Sequence, residues 1–195
     1  WGCPIHCSKI AKRDGYMLDG PDYETIYALG TPCGIGDMWA IVEANHICDE
    51  YGLDAISVGN VVGFVMELYQ RGYVTPADLD GVVPAWGSAE AMIALVTQMA
   101  RGEGFGRIMG RGTRELSRHF PGSEDFAMQV KGLEMPAYHP NAAKGTALGY
   151  AVSERGACHL HGAPLVELMG GANPLKQEGK PALFHTHQSE KAVID

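Results

Sequence analysis

The sequence has no long apolar run, no surplus of basic charge, no even set of cysteines and almost no sustained polar–apolar alternation. Each absence removes a class of protein. The longest apolar stretch, Ala55 to Leu68, is interrupted by Ser57, Gly59, Asn60 and Gly63 and falls short of the roughly 20 residues that a bilayer-spanning helix needs. No membrane insertion is expected. Fifteen Lys and Arg face 23 Asp and Glu, a formal net charge of −8, which is the wrong sign for a general phosphate-backbone binder. No nucleic-acid partner is expected either. Five cysteines are an odd number, which argues against a disulfide framework and for reduced thiols or metal ligands. The start, Trp1-Gly2-Cys3-Pro4, has neither the basic stretch nor the apolar core of a secretory signal, so a cytoplasmic location is the expectation. No repeat of 20–50 residues and no low-complexity run is visible.

What is present is a packed globular composition: 195 residues, 46% hydrophobic and 19% charged, enough chain for one domain or one lobe of a larger protein. Twenty-six glycines are about twice the ordinary ~7% share and point to many helix stops and close backbone approaches, as around a bulky cofactor. Residues 1–36 read as loops with one short helix across Glu24 to Leu29. A helical period then begins at Asp37, a suitable N-cap, and stops at Gly52. A second helix, Ile56 to Arg71, is apolar nearly all round and is expected at the centre. Thr75-Pro76-Ala77-Asp78 orders a cap, an N1 proline and an acidic N3 residue. Ser88 to Arg101 is clearly amphipathic, and further helices are expected over Arg107–Phe120, Thr146–Ser153 and Pro164–Met169. Residues 37–172 thus form a helical core, and 173–195 read as a linker. The fold class is mainly α.

Few local patterns could carry chemistry. Cys3-x-x-x-Cys7 sets two thiols where they could ligate one metal centre, or be two neighbouring free cysteines; a cysteine-held cluster needs four. Asp49-Glu50-Tyr51-Gly52-Leu53-Asp54 places carboxylates around a helix stop. They are solvated acids of a turn, or acids with another partner, since they oppose the helix dipole at about 0.3–1 kcal/mol. Arg155-Gly156-Ala157-Cys158-His159-Leu160-His161 is a polar surface loop, or a site in which Arg155 meets a phosphate and His159 moves a proton. Glu24 has nothing local to mark it. Glu43-x-x-His46 and His185-x-His187 read more readily as exposed positions than as metal pairs, and the zinc-peptidase spacing HExxH is absent.

Taken in order, Cys-Pro-Ile-x-Cys, Gly-Pro-x-Tyr-Glu-Thr, Cys-Gly-Ile-x-Asp, Cys-Asp-Glu-Tyr-Gly-Leu-Asp-x-Ile-Ser-x-Gly-Asn and Gly-Tyr-Ala-x-Ser-x-Arg-Gly-x-Cys-His-Leu resemble the tungsten-containing aldehyde:ferredoxin oxidoreductase family over nearly the whole chain. The resemblance implies a tungsten (or molybdenum) bis-pterin centre beside a 4Fe-4S cluster, enclosed by a β-rich base domain and two helical domains. This chain matches domain 2, the first helical one, and the crossover into the last, so it is expected to be a fragment. Cys3 and Cys7 fall on the second and third cluster cysteines. The pterin motif falls on Asp49, Leu53 and Asp54, with Asp195 opening its second copy. Arg155 falls on a further pterin contact; His161 lies near a position where the family has lysine, which puts that contact in doubt. Glu24 and His159 fall on the family's active-site glutamate and histidine. Ferredoxin or an electron-transfer subunit is the implied partner, an aldehyde the implied substrate, and a homo-oligomer or complex subunit the implied assembly.

There are departures from the family pattern. Tyr138-His139-Pro140-Asn141 replaces the usual Tyr-Asp-Pro-Arg, and no histidine in Ser88–Arg101 accompanies Glu43, so the interfacial metal of some members is not expected. Cys33, nine residues beyond Glu24, is where a thiolate could reach the metal itself, as in the related tungsten subunit of aryl-CoA reductases. A benzoyl-CoA-type reductase with an aryl-CoA substrate is therefore the first alternative. An iron–sulfur electron-transfer module without catalysis, and a purely structural helical domain, are alternatives of other classes.

Overall fold

A computed structural model describes residues 8–162 and 165–194. The chain divides into two compact units, the first ending at Ala127 and the second beginning at Met128. The mainly α expectation holds: two short two-stranded sheets accompany the helices.

The first unit is organised around a buried helix. Helix α1 (Tyr23–Gly30) is capped by Asp22, whose carboxylate accepts from the Thr25 amide at 2.8 Å. Helix α2 (Met38–Tyr51) begins at Asp37, which accepts from the amides of Trp39 and Ala40. Helix α3 (Ala55–Gln70) buries Val58, Val61, Val62, Phe64, Val65, Met66 and Leu68, as its all-round apolar sequence requires. Glycine in α3 lets other backbone come close: a Cβ on Gly59 would stand 2.1 Å from the Ala28 carbonyl oxygen of α1. Helix α4 (Ala89–Arg101), capped by Ser88 and closed by Gly102, adds Met92, Leu95, Val96 and Met99 to the same core.

Three features differ from the sequence reading. Residues 1–36 were expected to be irregular, yet strands β1 (Lys9–Arg13) and β2 (Tyr16–Gly20) pair antiparallel, with Arg13 opposite Tyr16. Both turn residues, Asp14 and Gly15, have positive φ, the requirement of a two-residue hairpin turn that Asp-Gly satisfies. The helix expected over Arg107–Phe120 is two short ones, α5 (Gly106–Met109) and α6 (Thr113–Ser117), because Gly110 and Gly112 weaken the helix between them.

The second unit holds strands β3 (Gln129–Val130) and β4 (Leu133–Glu134), then helices α7 (Lys144–Val152), α8 (His159–Gly162), α9 (Leu165–Leu168) and α10 (Lys180–Ile194). The third difference lies in the 173–195 segment read as a linker: among its described residues, only the stretch before Lys180 lacks regular structure. The α7 N-terminus is closed from a distance. The buried Glu167 carboxylate accepts from the Gly145 and Thr146 amides at 3.0 and 3.1 Å, and Lys180 Nζ donates both to Glu167 and to the Asn173 carbonyl. A carboxylate on helix N-terminal amides is favoured by the exposed N–H groups and the dipole.

Candidate functional site

The acidic motif is a corner between two helices. Cys48, Asp49 and Gly52 end α2 in a Schellman turn: the Leu53 amide donates to the Cys48 carbonyl at 2.8 Å, and the Gly52 amide reaches Asp49 O. Gly52 has φ +68, the left-handed conformation this turn demands. Leu53 then packs against the core, and Asp54 caps α3 by accepting from the Ser57 amide at 3.0 Å. Asp49 and Asp54 are both exposed. Each has one oxygen committed, Asp49 Oδ2 to Asn45 Nδ2 at 2.9 Å and Asp54 Oδ1 to Ser57. The other oxygen of each makes no hydrogen bond among the described residues. Beneath them lies Cys48, buried, its thiol pushed up to about 12 by burial first and then by the charges of Asp49 and Asp54. A groove beside the corner is lined by Ile10, Met17, Leu18 and Asp19 of the hairpin and by His46, Asp49 and Glu50 of α2. The hairpin that sequence reasoning missed therefore forms one wall of the corner's surroundings; Asp14-Gly15 was the signal that would have found it.

Glu24 sits in the first turn of α1 with 8% of its surface exposed. The Tyr27 phenol, one turn on, is held above its ordinary range by burial, then by the Glu24 charge, then by Tyr23. A carboxylate in such a setting is shielded from bulk water and held by helix backbone, both useful in a group that must take a proton at one place.

Cys33 is placed differently from its expectation as a metal ligand. It has no exposed surface, its Sγ lies 3.4 Å from the Gly59 carbonyl oxygen, and burial pushes the thiol up to about 12. A thiolate is the ligand form, and this site disfavours it. Cys33 is a core thiol.

The second unit gathers Arg155, His159 and the backbone of His161. Arg155 is exposed and its amide donates to Ser153 Oγ at 3.3 Å; His159 is half-buried at the start of α8. The loop before them is clamped. Gly156 has φ +82, and a Cβ there would lie 2.0 Å from the Val130 carbonyl oxygen. Lys131 closes the end of α7 by donating to the carbonyls of Ala151 and Ser153 at 3.3 and 2.6 Å. The Tyr138 ring stands 6.0 Å from that of His159, and Tyr150 Oη donates to the Tyr138 carbonyl at 3.0 Å. Lys131 was not found from sequence, and Tyr138 only as part of a motif that departs from the family pattern, since nothing local marks a residue whose role depends on a contact about twenty residues away. Cys3, Cys7 and Asp195 lie outside the described residues. Among the described residues no cluster of three or more His, Cys, Asp and Glu is arranged to hold a metal ion.

Residues 1–195 match the family model for aldehyde ferredoxin oxidoreductase, domains 2 and 3. The chain is 40% identical over 162 residues to a tungsten-containing aldehyde ferredoxin oxidoreductase of Pyrococcus furiosus, covering 82% of this chain and 27% of that protein. A protein of the same description from Thermococcus kodakarensis is 41% identical over 162 residues with the same coverage. The WOR-like subunit of an aliphatic sulfonate oxidoreductase of Pyrococcus furiosus is 34% identical over 185 residues, 85% of this chain and 28% of that one. Among solved structures, the active-site complex BamBC of benzoyl coenzyme A reductase with 1,5-dienoyl-CoA superposes with a TM-score of 0.68 at 23% identity, over 83% of this chain and 25% of that one; this likeness is one of fold. The chain spans about a quarter of the length of the curated relatives it matches.

Proposed function

The chain belongs to the aldehyde ferredoxin oxidoreductase family, over its domains 2 and 3, and from that premise we propose that it supplies the pterin contacts and acid–base residues of a tungsten (or molybdenum) bis-pterin enzyme that oxidises an aldehyde to a carboxylic acid. The observation that carries the proposal is the α2–α3 corner, where Asp49 and Asp54 each keep one carboxylate oxygen uncommitted among the described residues. Pterin ring N–H and amino groups are donors, and carboxylates held by helix caps are matching acceptors. The donor set therefore fits the group. By the family resemblance, Arg155, Asp195 and the His161 segment would be further pterin contacts. Cys3 and Cys7 would hold two irons of the 4Fe-4S cluster, with the remaining cysteines supplied by chain beyond this sequence.

Aldehyde and water give carboxylic acid, two protons and two electrons. When bound, the metal–pterin centre would supply the two-electron acceptor and the cluster a one-electron route to ferredoxin. The chain's own part is protonic. Glu24 takes a proton from the attacking water, and His159 donates a hydrogen bond to the carbonyl oxygen as negative charge develops there. Burial of Glu24 keeps competing water from the carboxylate. The aryl-CoA alternative, with Cys33 as a metal ligand, is the less favoured reading because the Cys33 side chain has no exposed surface.

Metal analysis with ultraviolet–visible spectra of the complete protein tests the reading. Tungsten or molybdenum with pterin, iron and sulfide is the expected content. Iron and sulfide alone would leave an electron-transfer module, and no metal at all a structural domain.

A further inference from the structure

An arginine strip interrupts an otherwise acidic chain. Of eight arginines in the sequence, five lie between Arg101 and Arg118, against Glu103 and Glu115 only. That segment carries a net +3 while the remainder carries −11. All five arginines are exposed. Gly106, Met109, Thr113, Leu116 and Ser117 are buried, whereas Arg107 in α5, Arg111 between the two helices, Arg114 in α6 and Arg118 just after it are exposed. A Cβ on Gly106 would stand 2.2 Å from the Gln98 backbone, so α5 is pressed against the end of α4. Arg107 Nε accordingly donates to Gly102 O at 3.2 Å, beside Arg101 in the last turn of α4.

Local roles use up part of this charge. Arg101 and Arg107 complement the α4 C-terminus. Arg118 pairs with Glu115 at 2.7 Å, and Arg114 lies 3.6 Å from the same carboxylate. One glutamate thus serves two arginines, and Arg101 and Arg111 make no ion pair among the described residues. Guanidinium groups match carboxylates bidentately and are weakly hydrated, which suits them to carboxylate-rich protein surfaces.

We propose that the Arg101–Arg118 strip is the docking surface for an acidic electron-carrier protein, steering its encounter with the enzyme. The proposal rests on the oxidoreductase reading for the identity of the carrier. Its chemistry is charge complementarity at an interface rim, which raises the association rate and makes it sensitive to salt.

The test is the double variant Arg107→Glu and Arg111→Glu in the holoenzyme, with turnover followed in parallel using ferredoxin and a small redox dye. Both side chains are exposed, so folding should survive; an unchanged thermal midpoint and unchanged dye turnover establish that it has. The expected result is a fall of about tenfold in kcat/KM for ferredoxin at low ionic strength, shrinking as salt rises. An unchanged ferredoxin kcat/KM with an unchanged salt slope overturns the proposal. So does a change in oligomeric state by sedimentation, which would assign the strip to a second copy, or loss of duplex DNA binding with ferredoxin kinetics intact. Absence of aldehyde oxidation with either acceptor in the parent protein would instead fail the functional reading.

Discussion

The two polar corners of this chain are built by opposite means. At Asp49–Asp54 the hydrogen bonds that shape the corner are local: a Schellman turn, a left-handed glycine and an N-cap, all within ten residues. At Ser153–His159 the loop is held from elsewhere, by Lys131 on the α7 carbonyls, by the Val130 backbone against Gly156, and by Glu167 and Lys180 at the other end of α7. A locally built corner tolerates changes in its surroundings, whereas a remotely held one transmits them. Single substitutions should therefore cost more in the second unit than in the first.

The largest effect is expected at Glu167. Replacing it by Ala leaves the buried Lys180 ammonium uncompensated and removes the acceptor of two α7 amides, at a cost of about 3–5 kcal/mol. Denaturant titration measures it, and a loss below that of Asp54→Ala would break the comparison. Next come two glycines with left-handed φ. Gly156→Ala combines backbone strain with a collision against the Val130 carbonyl and should cost about 2–4 kcal/mol. Gly52→Ala meets nothing within 4 Å, so only the backbone term of about 1–2 kcal/mol remains. The difference between these variants sharpens the comparison because the dihedral requirement is shared. Asp54→Ala, which removes an exposed cap, should cost about 1 kcal/mol.

This contrast also explains what could be read in the sequence. The α2–α3 corner was partly legible because caps and stops are written within a turn of the residues they serve: Asp37 and Gly52 do what their positions indicated, whereas the capping role of Asp54 is seen in the structure. The central helix was legible because α3 is apolar on every side. The hairpin was missed although Asp14-Gly15 stands in plain view, since Lys-Ile-Ala-Lys-Arg lacks the alternation of a half-buried strand. Helix α10 was missed because its sequence has no sustained apolar stripe, and what anchors its start, Lys180 on Glu167, is a contact between residues thirteen apart. Glu24 and His159 entered only through family resemblance. Nothing in their immediate neighbours announces either one.

The buried thiols give a smaller, pH-dependent test. Cys33 and Cys48 are raised from the usual 9.0 to about 12 in the folded chain. In the unfolded chain they ionise near 9.0, so their contribution to folded stability is complete below that value. It is lost as pH rises from 9 towards 12. Stability should fall across that window, and less steeply in a Cys33→Ala variant. Alkylation at neutral pH should label neither thiol until the fold opens, and rapid labelling of Cys33 in native protein would contradict its placement in the core.

The central claim is that this chain brings its own proton acceptor to aldehyde oxidation. Turnover by the Glu24→Gln holoenzyme, measured beside its tungsten, pterin and iron content, tests it most directly. The account predicts a loss of roughly 10²–10⁴ in turnover with all three cofactors retained. Parental turnover in a fully loaded Gln variant would contradict it.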